Sequence, residues 1–358
     1  MRAIISGGGT AGHINPAIAI AGKIKKTDRK SEILFVGTEH GLEKKLVPKA
    51  GYKIKYIDVR GLKRRLTAEN IKILGMAFRA YKDSLKIIDE FKPDIVIGTG
   101  GYVCAPVLYA ACRRKIPTLL HEQNVPPGLA VKLMAPRVDV TAISFEETRG
   151  LLKKAKRIEL CGNPIRDGIL KIKPQKTERP QVMVSGGSLG AGKINEALLE
   201  LLTLDGQDYY DICAATGERY YDDFMRELSK RAVSLDKHKK IVPYIHNMDE
   251  VLASSALAVT RAGAITVSEL CAIGKPAILI PSPNVAHDHQ RTNARFMEKN
   301  GAAVVIEEKD LSGVRLAEVI DDLLHDKERL RKMSVSGSEI GIRNATDSIY
   351  ALIEELLA

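Results

Sequence analysis

The chain has 358 residues, 45% hydrophobic and 28% charged, with a formal net charge of +11 at pH 7 and no tryptophan. That length favours two domains and that balance supports a sizeable core, while no apolar run approaches the ~20 residues of a membrane span. The positive charge suits nucleic acid, an anionic membrane surface or phosphorylated substrates. Aromatics at 5% and the lack of a nucleic-acid motif set the first aside.

Residues 3–5 are a short apolar run at the start of the chain. They read as a buried parallel strand and leave no expected room for a signal peptide. Gly7, Gly8 and Gly9 follow, and Asn15 and Pro16 read as the cap and first turn of a helix. Strand, glycine turn and helix start together expose backbone N–H groups where negative charge is favoured. The spacing Gly7-x-Gly9-x-x-Gly12 fits a dinucleotide pattern by letter. The next strand, 32–36, closes on Gly37 and Thr38 rather than on the acid that a dinucleotide ribose needs. His13 reads either as a packing residue or as a chemical one.

Further strand-like runs in this half fall at 55–59, 94–97, 117–121 and 138–143, with helical stretches between them. Such alternation means an α/β domain with a mostly parallel sheet. Residues 60–66, with Arg60, Lys63, Arg64 and Arg65, form a basic and partly apolar loop. The helix after it carries Leu74, Phe78, Tyr81, Leu85 and Ile88 as an expected core stripe, with Ile71, Ile73 and Met76 on other faces. The loop and those residues read either as a solvated turn or as a patch for anionic lipid. Gly100, Gly101 and Tyr102 make a second glycine turn after a strand. Residues 171–180, polar and with two prolines, read as a linker.

The second half repeats the opening. Ser-Gly-Gly at Ser6 recurs at Ser185, Ala-Gly at Ala11 recurs at Ala191, and Ile-Asn at Ile14 recurs at Ile194. Similarity at half the chain length argues for two related domains rather than a solenoid. Strands follow at 182–184, 210–214, 240–243, 256–259, 277–280 and 303–306. Residues 260–269 open a helix after a strand, with Glu269 in its early turns. Glu269 suits either the hydroxyls of a ribose or the helix dipole. His287 and His289 flank Asp288 without a partner cluster, so a polar helix start that reads sugar hydroxyls is preferred to a metal site. From residue 311 onward the chain reads as helical, and 349–357 is amphipathic. Cys104, Cys112, Cys161, Cys213 and Cys271 stand singly, as buried thiols in a reducing cytoplasm would.

Seven ordered motifs carry a resemblance. They are Gly-Gly-Gly-Thr-Ala-Gly-His at 7–13, Gly-Gly-Tyr-Val at 100–103, His-Glu-Gln-Asn at 121–124 and Gly-Asn-Pro-Ile-Arg at 162–166. Gly-Gly-Ser-Leu-Gly-Ala at 186–191, Arg-Ala-Gly-Ala-Ile-Thr-Val-Ser-Glu at 261–269 and Asp-His-Gln-x-x-Asn-Ala at 288–294 complete them. Over essentially its whole length the chain resembles the MurG family of bacterial N-acetylglucosaminyltransferases, which convert lipid I to lipid II in peptidoglycan synthesis. One departure is Ala11, where many members have glycine.

The resemblance implies a GT-B fold: two Rossmann-like α/β domains with parallel sheets facing across a cleft. The expected bounds are 1–163 for an acceptor and membrane-associating domain, 164–340 for a UDP-N-acetylglucosamine domain, and 341–358 for a helix returning to the first. It implies inverting transfer to the muramyl 4-hydroxyl of lipid I, with neither cofactor nor metal, at the cytoplasmic face of the membrane. The implied donor residues are Thr10, Ala11, Gly12, Asn124, Arg166, Ser188, Ile245, Ala264, Ile265, Thr266, Val267, Ser268, Glu269 and Gln290. Gly8, Gly9, Gly100, Gly101 and Tyr102 would hold the acceptor pyrophosphate. His13 is the expected base, since histidine's ordinary pKa of about 6.5 suits that role; the rival role is orienting the acceptor. The alternatives are a related transferase with another lipid-linked acceptor, a silent sugar-nucleotide binder, and a dinucleotide-dependent oxidoreductase.

Overall fold

Hydrophobic strands alternate with helices along the chain, and a computed structural model shows how they assemble. It describes residues 1–61, 68–173, 175, 177–187, 189–285 and 288–358, except for the side chains of 68–72 and 74. The chain divides into a first unit, Met1–Ile165 with Ile342–Ala358, and a second unit, Arg166–Gly341.

In the first unit the order is β1 (Arg2–Ser6), α1 (Ala11–Thr27), β2 (Glu32–Gly37), α2 (Glu43–Lys49), β3 (Lys53–Tyr56) and α3 (Ala68–Phe91). Then come β4 (Ile95–Gly98), α4 (Cys104–Arg113), β5 (Thr118–Glu122), α5 (Leu129–Met134), β6 (Val140–Ile143) and β7 (Ile158–Leu160). The second unit runs α6 (Asp167–Leu170), β8 (Gln181–Ser185), α7 (Gly192–Leu201), β9 (Asp211–Ala215), α8 (Glu218–Lys230), β10 (Lys239–Val242), α9 (Met248–Ser254) and β11 (Ser255–Thr260). It continues with α10 (Ala264–Ala272), β12 (Ala277–Leu279), α11 (His289–Lys299), β13 (Ala303–Val305), α12 (Gly313–His325) and α13 (Lys327–Ile340). The last helix, α14 (Ala345–Leu357), belongs to the first unit.

The described strands form one sheet per unit, ordered β3-β2-β1-β4-β5-β6-β7 and β10-β9-β8-β11-β12-β13. Every pairing is parallel. Both orders are those of the Rossmann fold, in which the strand direction of travel reverses beside the first strand. In folds of this order ligands bind at that switch point, which here lies beyond the carboxyl ends of β1 and β4 in one unit and of β8 and β11 in the other.

Burial on both faces explains the unbroken apolar strands. Ile4, Val96 and Leu120 pack beneath Ala80, Ile87 and Ile88 of α3 and Val107 and Leu108 of α4. Ile5, Ile97 and Leu119 point the other way, toward Ile14, Ala17, Ile20 and Ile24 of α1 and toward Ile349, Tyr350 and Ile353 of α14. Burying each such isoleucine is worth ~1.5–3 kcal/mol. Lys23 with Asp347 at 2.6 Å and Arg157 with Glu355 add ion pairs at the rim.

Several sequence expectations are corrected. The first helix starts at Ala11, not at Asn15 and Pro16. Gly9, at φ +85°, turns the chain sooner, and extended Thr10 takes the cap position. Pro16 is therefore inside the helix, so Gly12 has no N–H to accept from there. In α3 the core face is Ile73, Ala80, Ile87 and Ile88, while Phe78 is 58% exposed; Tyr81 and Leu85 are only partly buried. The edge strand β3 starts earlier than expected, and β7 is an addition to the expected strands. With only three residues between charged neighbours, β7 lacks an apolar signature. Residues 171–173 and 177–180 lie inside the second unit rather than at its junction, and Gln175 N–H donates to Ala253 O at 3.0 Å.

Candidate functional site

In the first unit the two glycine turns meet because β1 and β4 are neighbours. A Cβ on Gly101, which has φ +79°, would lie 2.3 Å from the Gly8 carbonyl oxygen. A Cβ on Gly100 would lie 2.7 Å from His13 Nδ1, so the imidazole packs directly on that turn. Thr99 Oγ1 donates to His13 O at 2.8 Å and ties the two loops together. Tyr102 lies along Gly9 and Gly61. Gly8, Gly9, Gly100, Gly101, Tyr102 and His13 thus share one place. Thr10, Ala11 and Gly12 form the adjoining start of α1, where Gly12 is exposed.

The His-Glu-Gln-Asn stretch supports this place from below. Glu122 is buried and accepts from Asn124 N at 2.9 Å and Gly128 N at 2.8 Å, which folds the loop after β5. Gln123 is buried too, and its Oε1 lies 2.8 Å from His13 Nδ1. His121 sits beneath it with Nε2 2.9 Å from Gly162 O. Full burial pulls the His121 pKa down to about 4, so the ring is neutral at pH 7. Asn163 Nδ2 donates to Gln123 O at 3.0 Å, which gives the Gly-Asn-Pro motif its part. Cys104, at the start of α4, is no candidate nucleophile, since burial pushes its thiol up to about 12.

Glu43 is a site residue the sequence did not reveal. It is fully buried, and its carboxylate accepts from Gly9 N at 3.0 Å, Thr38 N at 3.0 Å and Thr38 Oγ1 at 2.7 Å. Gly8, Gly37 and Gly41 leave room for it: a Cβ on any of them would lie 2.1–2.6 Å from its atoms. An internal anion therefore already occupies part of the glycine turn. In sequence it resembles any acid at a helix start.

In the second unit the start of α10 follows β11 at the switch point. Gly263 takes the cap position, followed by Ala264, Ile265, Thr266, Val267 and Ser268 in the first turns. Val267 and Ala264 are buried; Ile265, Thr266 and Ser268 are half-buried. Glu269, one turn on, is 8% exposed and binds Arg166 in a fork: Nε to Oε1 at 2.9 Å and Nη2 to Oε2 at 3.1 Å. The pair raises the Arg166 pKa further. Arg166 itself is exposed, so the pair is buried on its carboxylate side and open to solvent on its guanidinium side. Arg261 braces the loop before α10, donating to Ile280 O and pairing with Glu308. Gln290 Oε1 accepts from Ser282 N at 2.9 Å, and Ile245 is a buried side chain in the loop after β10. Ser188 and His287 lie outside the described residues. Among the described residues no group of His, Cys, Asp and Glu converges as a metal site, and no helix is long and apolar enough to cross a membrane.

Comparison with known proteins bears on both units. Residues 3–143 match the glycosyltransferase family 28 N-terminal domain, and residues 181–348 match the family's C-terminal domain. A protein of Caldanaerobacter subterraneus subsp. tengcongensis is 45% identical over 364 residues, covering 99% of this chain and 100% of its own length. One of Acetivibrio thermocellus is 46% identical over 366 residues, covering 100% and 98%. Both are named UDP-N-acetylglucosamine--N-acetylmuramyl-(pentapeptide) pyrophosphoryl-undecaprenol N-acetylglucosamine transferase. The crystal structure of Acinetobacter baumannii MurG superposes with a TM-score of 0.81 at 26% identity, covering 99% of each chain.

This chain belongs to the MurG family of glycosyltransferases. A kitacinnamycin glycosyltransferase, at TM-score 0.73 and 17% identity, shares the fold alone. Membership places the chain in the GT-B class, and the paired Rossmann units seen here are what that class requires. In MurG terms, the described residues of the seven motifs fall at the carboxyl ends of strands of the two sheets, at the turns that follow them or on the helices those turns open. The oxidoreductase alternative is excluded with it.

Proposed function

We infer that the chain transfers N-acetylglucosamine from UDP-N-acetylglucosamine to the 4-hydroxyl of the N-acetylmuramyl group of lipid I, giving lipid II. The full-length kinship with proteins named for that transfer, joined to a glycine-bearing turn that opens a helix at the switch point of each unit, carries the reading.

The roles divide by unit. The second unit takes the donor: Glu269 accepts from the ribose hydroxyls, Arg166 turns to the diphosphate, and the start of α10 with Ser188, Ile245 and Gln290 completes the set. The first unit takes the acceptor pyrophosphate on Gly8, Gly9, Gly100, Gly101 and Tyr102, with Thr10, Ala11, Gly12 and Asn124 reaching donor atoms. His13 Nε2 removes the proton of the 4-hydroxyl as that oxygen bonds to the anomeric carbon. The bond from that carbon to the diphosphate breaks on the opposite face, and UDP leaves with the electron pair. Configuration at the anomeric carbon is inverted.

The chain works as a peripheral protein at the cytoplasmic face of an anionic membrane. In support, Phe78, Tyr81 and Tyr109 form an aromatic run on α3 and α4, with ring centroids 6.3 and 5.3 Å apart. Lys82 and Arg137 lie over its two ends, and Leu133 beside it is 50% exposed. Met76 and Arg60 flank it in sequence; Lys63, Arg64, Arg65 and the side chain of Ile71 lie outside the described residues.

The test is transfer of labelled N-acetylglucosamine to a soluble lipid I analogue, with and without EDTA. Transfer that persists in EDTA supports the reaction and its independence of metal. Tight UDP binding with no transfer to lipid I, but transfer to another lipid-linked sugar, would overturn the acceptor assignment. Near-normal turnover in His13→Ala would remove the base assignment alone.

A further inference from the structure

The two hydrogen-bonding ends of Gln123 are distinguishable. One terminal atom lies 3.0 Å from Thr99 O and 3.2 Å from His121 O. Two carbonyl oxygens only accept, so that atom is the amide nitrogen. The other terminal atom is then Oε1, an acceptor, and it faces His13 Nδ1 at 2.8 Å. His13 must donate there, so its proton is on Nδ1 and its lone pair is on Nε2.

The same reasoning closes the other side. His121 Nε2 faces Gly162 O at 2.9 Å and so carries the ring proton. His121 Nδ1 is left as an acceptor, and Gln123 Nε2 donates to it at 2.8 Å. The relay therefore runs in one direction from His13 through Gln123 and His121 to a main-chain carbonyl that cannot reverse. Gln123 and His121 are buried, at 1% and 0% exposure. A neutral His121 keeps the relay in a single protonation state at pH 7. Gly162, at φ +84°, has no room for a Cβ, which would lie 2.7 Å from Ile342, so the terminal carbonyl is fixed as well.

Resting on the reading of His13 as the base, we propose that Gln123 is a positioning residue that sets the tautomer of His13, with His121 and the Gly162 carbonyl as its anchor. Free imidazole side chains favour the proton on Nε2, which would leave the outer nitrogen unable to accept one. Gln123 inverts that preference and presents a bare Nε2 to the acceptor hydroxyl. When Nε2 takes the proton, Oε1 of Gln123 still accepts from Nδ1 and steadies the imidazolium.

The experiment is histidine side-chain 15N NMR on the full chain above pH 7.5, with steady-state kinetics. Wild type is expected to show His13 with Nδ1 protonated and Nε2 bare. Gln123→Met, close in shape but without the amide, is expected to move the proton to Nε2 and lower kcat roughly tenfold or more. The KM for UDP-N-acetylglucosamine should stay within about twofold, because the donor residues of the second unit are untouched. A wild-type spectrum with Nε2 protonated overturns the proposal without any variant. So does a Gln123→Met protein with unchanged His13 nitrogen shifts. If the spectra behave as expected but His13→Ala keeps its turnover, the tautomer assignment stands and the base assignment falls.

Discussion

Glu43→Gln isolates the resident anion of the first glycine turn. The substitution keeps the shape and removes the charge. The amide oxygen would stay with Thr38, where two donors face one atom, so the amide nitrogen would face Gly9 N–H. That buried donor then loses its partner, at about 1–3 kcal/mol, and the two remaining bonds weaken from charge-assisted to neutral, at about 1 kcal/mol together. Removing a charge from a buried place offsets part of this. The net is about 2–3 kcal/mol, or roughly 4–12 °C in Tm for a unit of this size. Differential scanning calorimetry would read the shift. UDP binding should stay within about twofold, because the donor residues of the second unit are untouched, while the KM for a lipid I analogue should rise as Gly9 loosens. A Tm within about 1 °C of wild type, together with an unchanged acceptor KM, would refute the argument.

Three further outcomes follow from the same geometry. His121 has a folded pKa of about 4 against 6.5 when unfolded, so below pH 6.5 the unfolded chain binds the proton first. Stability should be full above pH 6.5 and fall by about 3 kcal/mol as pH drops to 4; urea titrations across that window check it, and a flat profile contradicts it. Gly101→Ala places a Cβ 2.3 Å from the Gly8 carbonyl in a left-handed backbone; a loss of at least about 2 kcal/mol and of acceptor turnover is expected, and wild-type kinetics would speak against the contact. Replacing Phe78 and Tyr109 by serine should weaken co-sedimentation with anionic vesicles about tenfold or more, with little change in Tm, since both rings are already exposed. Unchanged co-sedimentation would move membrane binding away from α3 and α4.

Much of this protein is local and was legible in its sequence. Short apolar runs became the strands because burial on both faces needs apolar residues at every position. The glycine turns at 7–9 and 100–101 announced themselves because positive φ and close backbone approach select glycine. The duplicated Ser-Gly-Gly segments marked two related units for the same reason. The helix start after the first turn is not legible in this way, because Asn15 and Pro16 make a plausible cap by composition and only the backbone path from Gly9 decides otherwise. The core face of α3 is not legible in the same way, because Phe78 lies on the apolar stripe yet is 58% exposed, with its ring against Tyr81 of the same helix.

What tertiary structure alone decided depends on partners far apart in the chain. Gln123 meets His13 across 110 residues, and Arg166 meets Glu269 across 103. Glu43 reaches Gly9 only because β2 lies beside β1. A hydrogen bond needs atoms within about 3 Å and aligned, and no spacing rule for helix or strand relates residues that the sheet order brings together. The sequence could therefore name His13 as a candidate base, but its proton was placed by a carbonyl at Gly162 acting through two buried side chains.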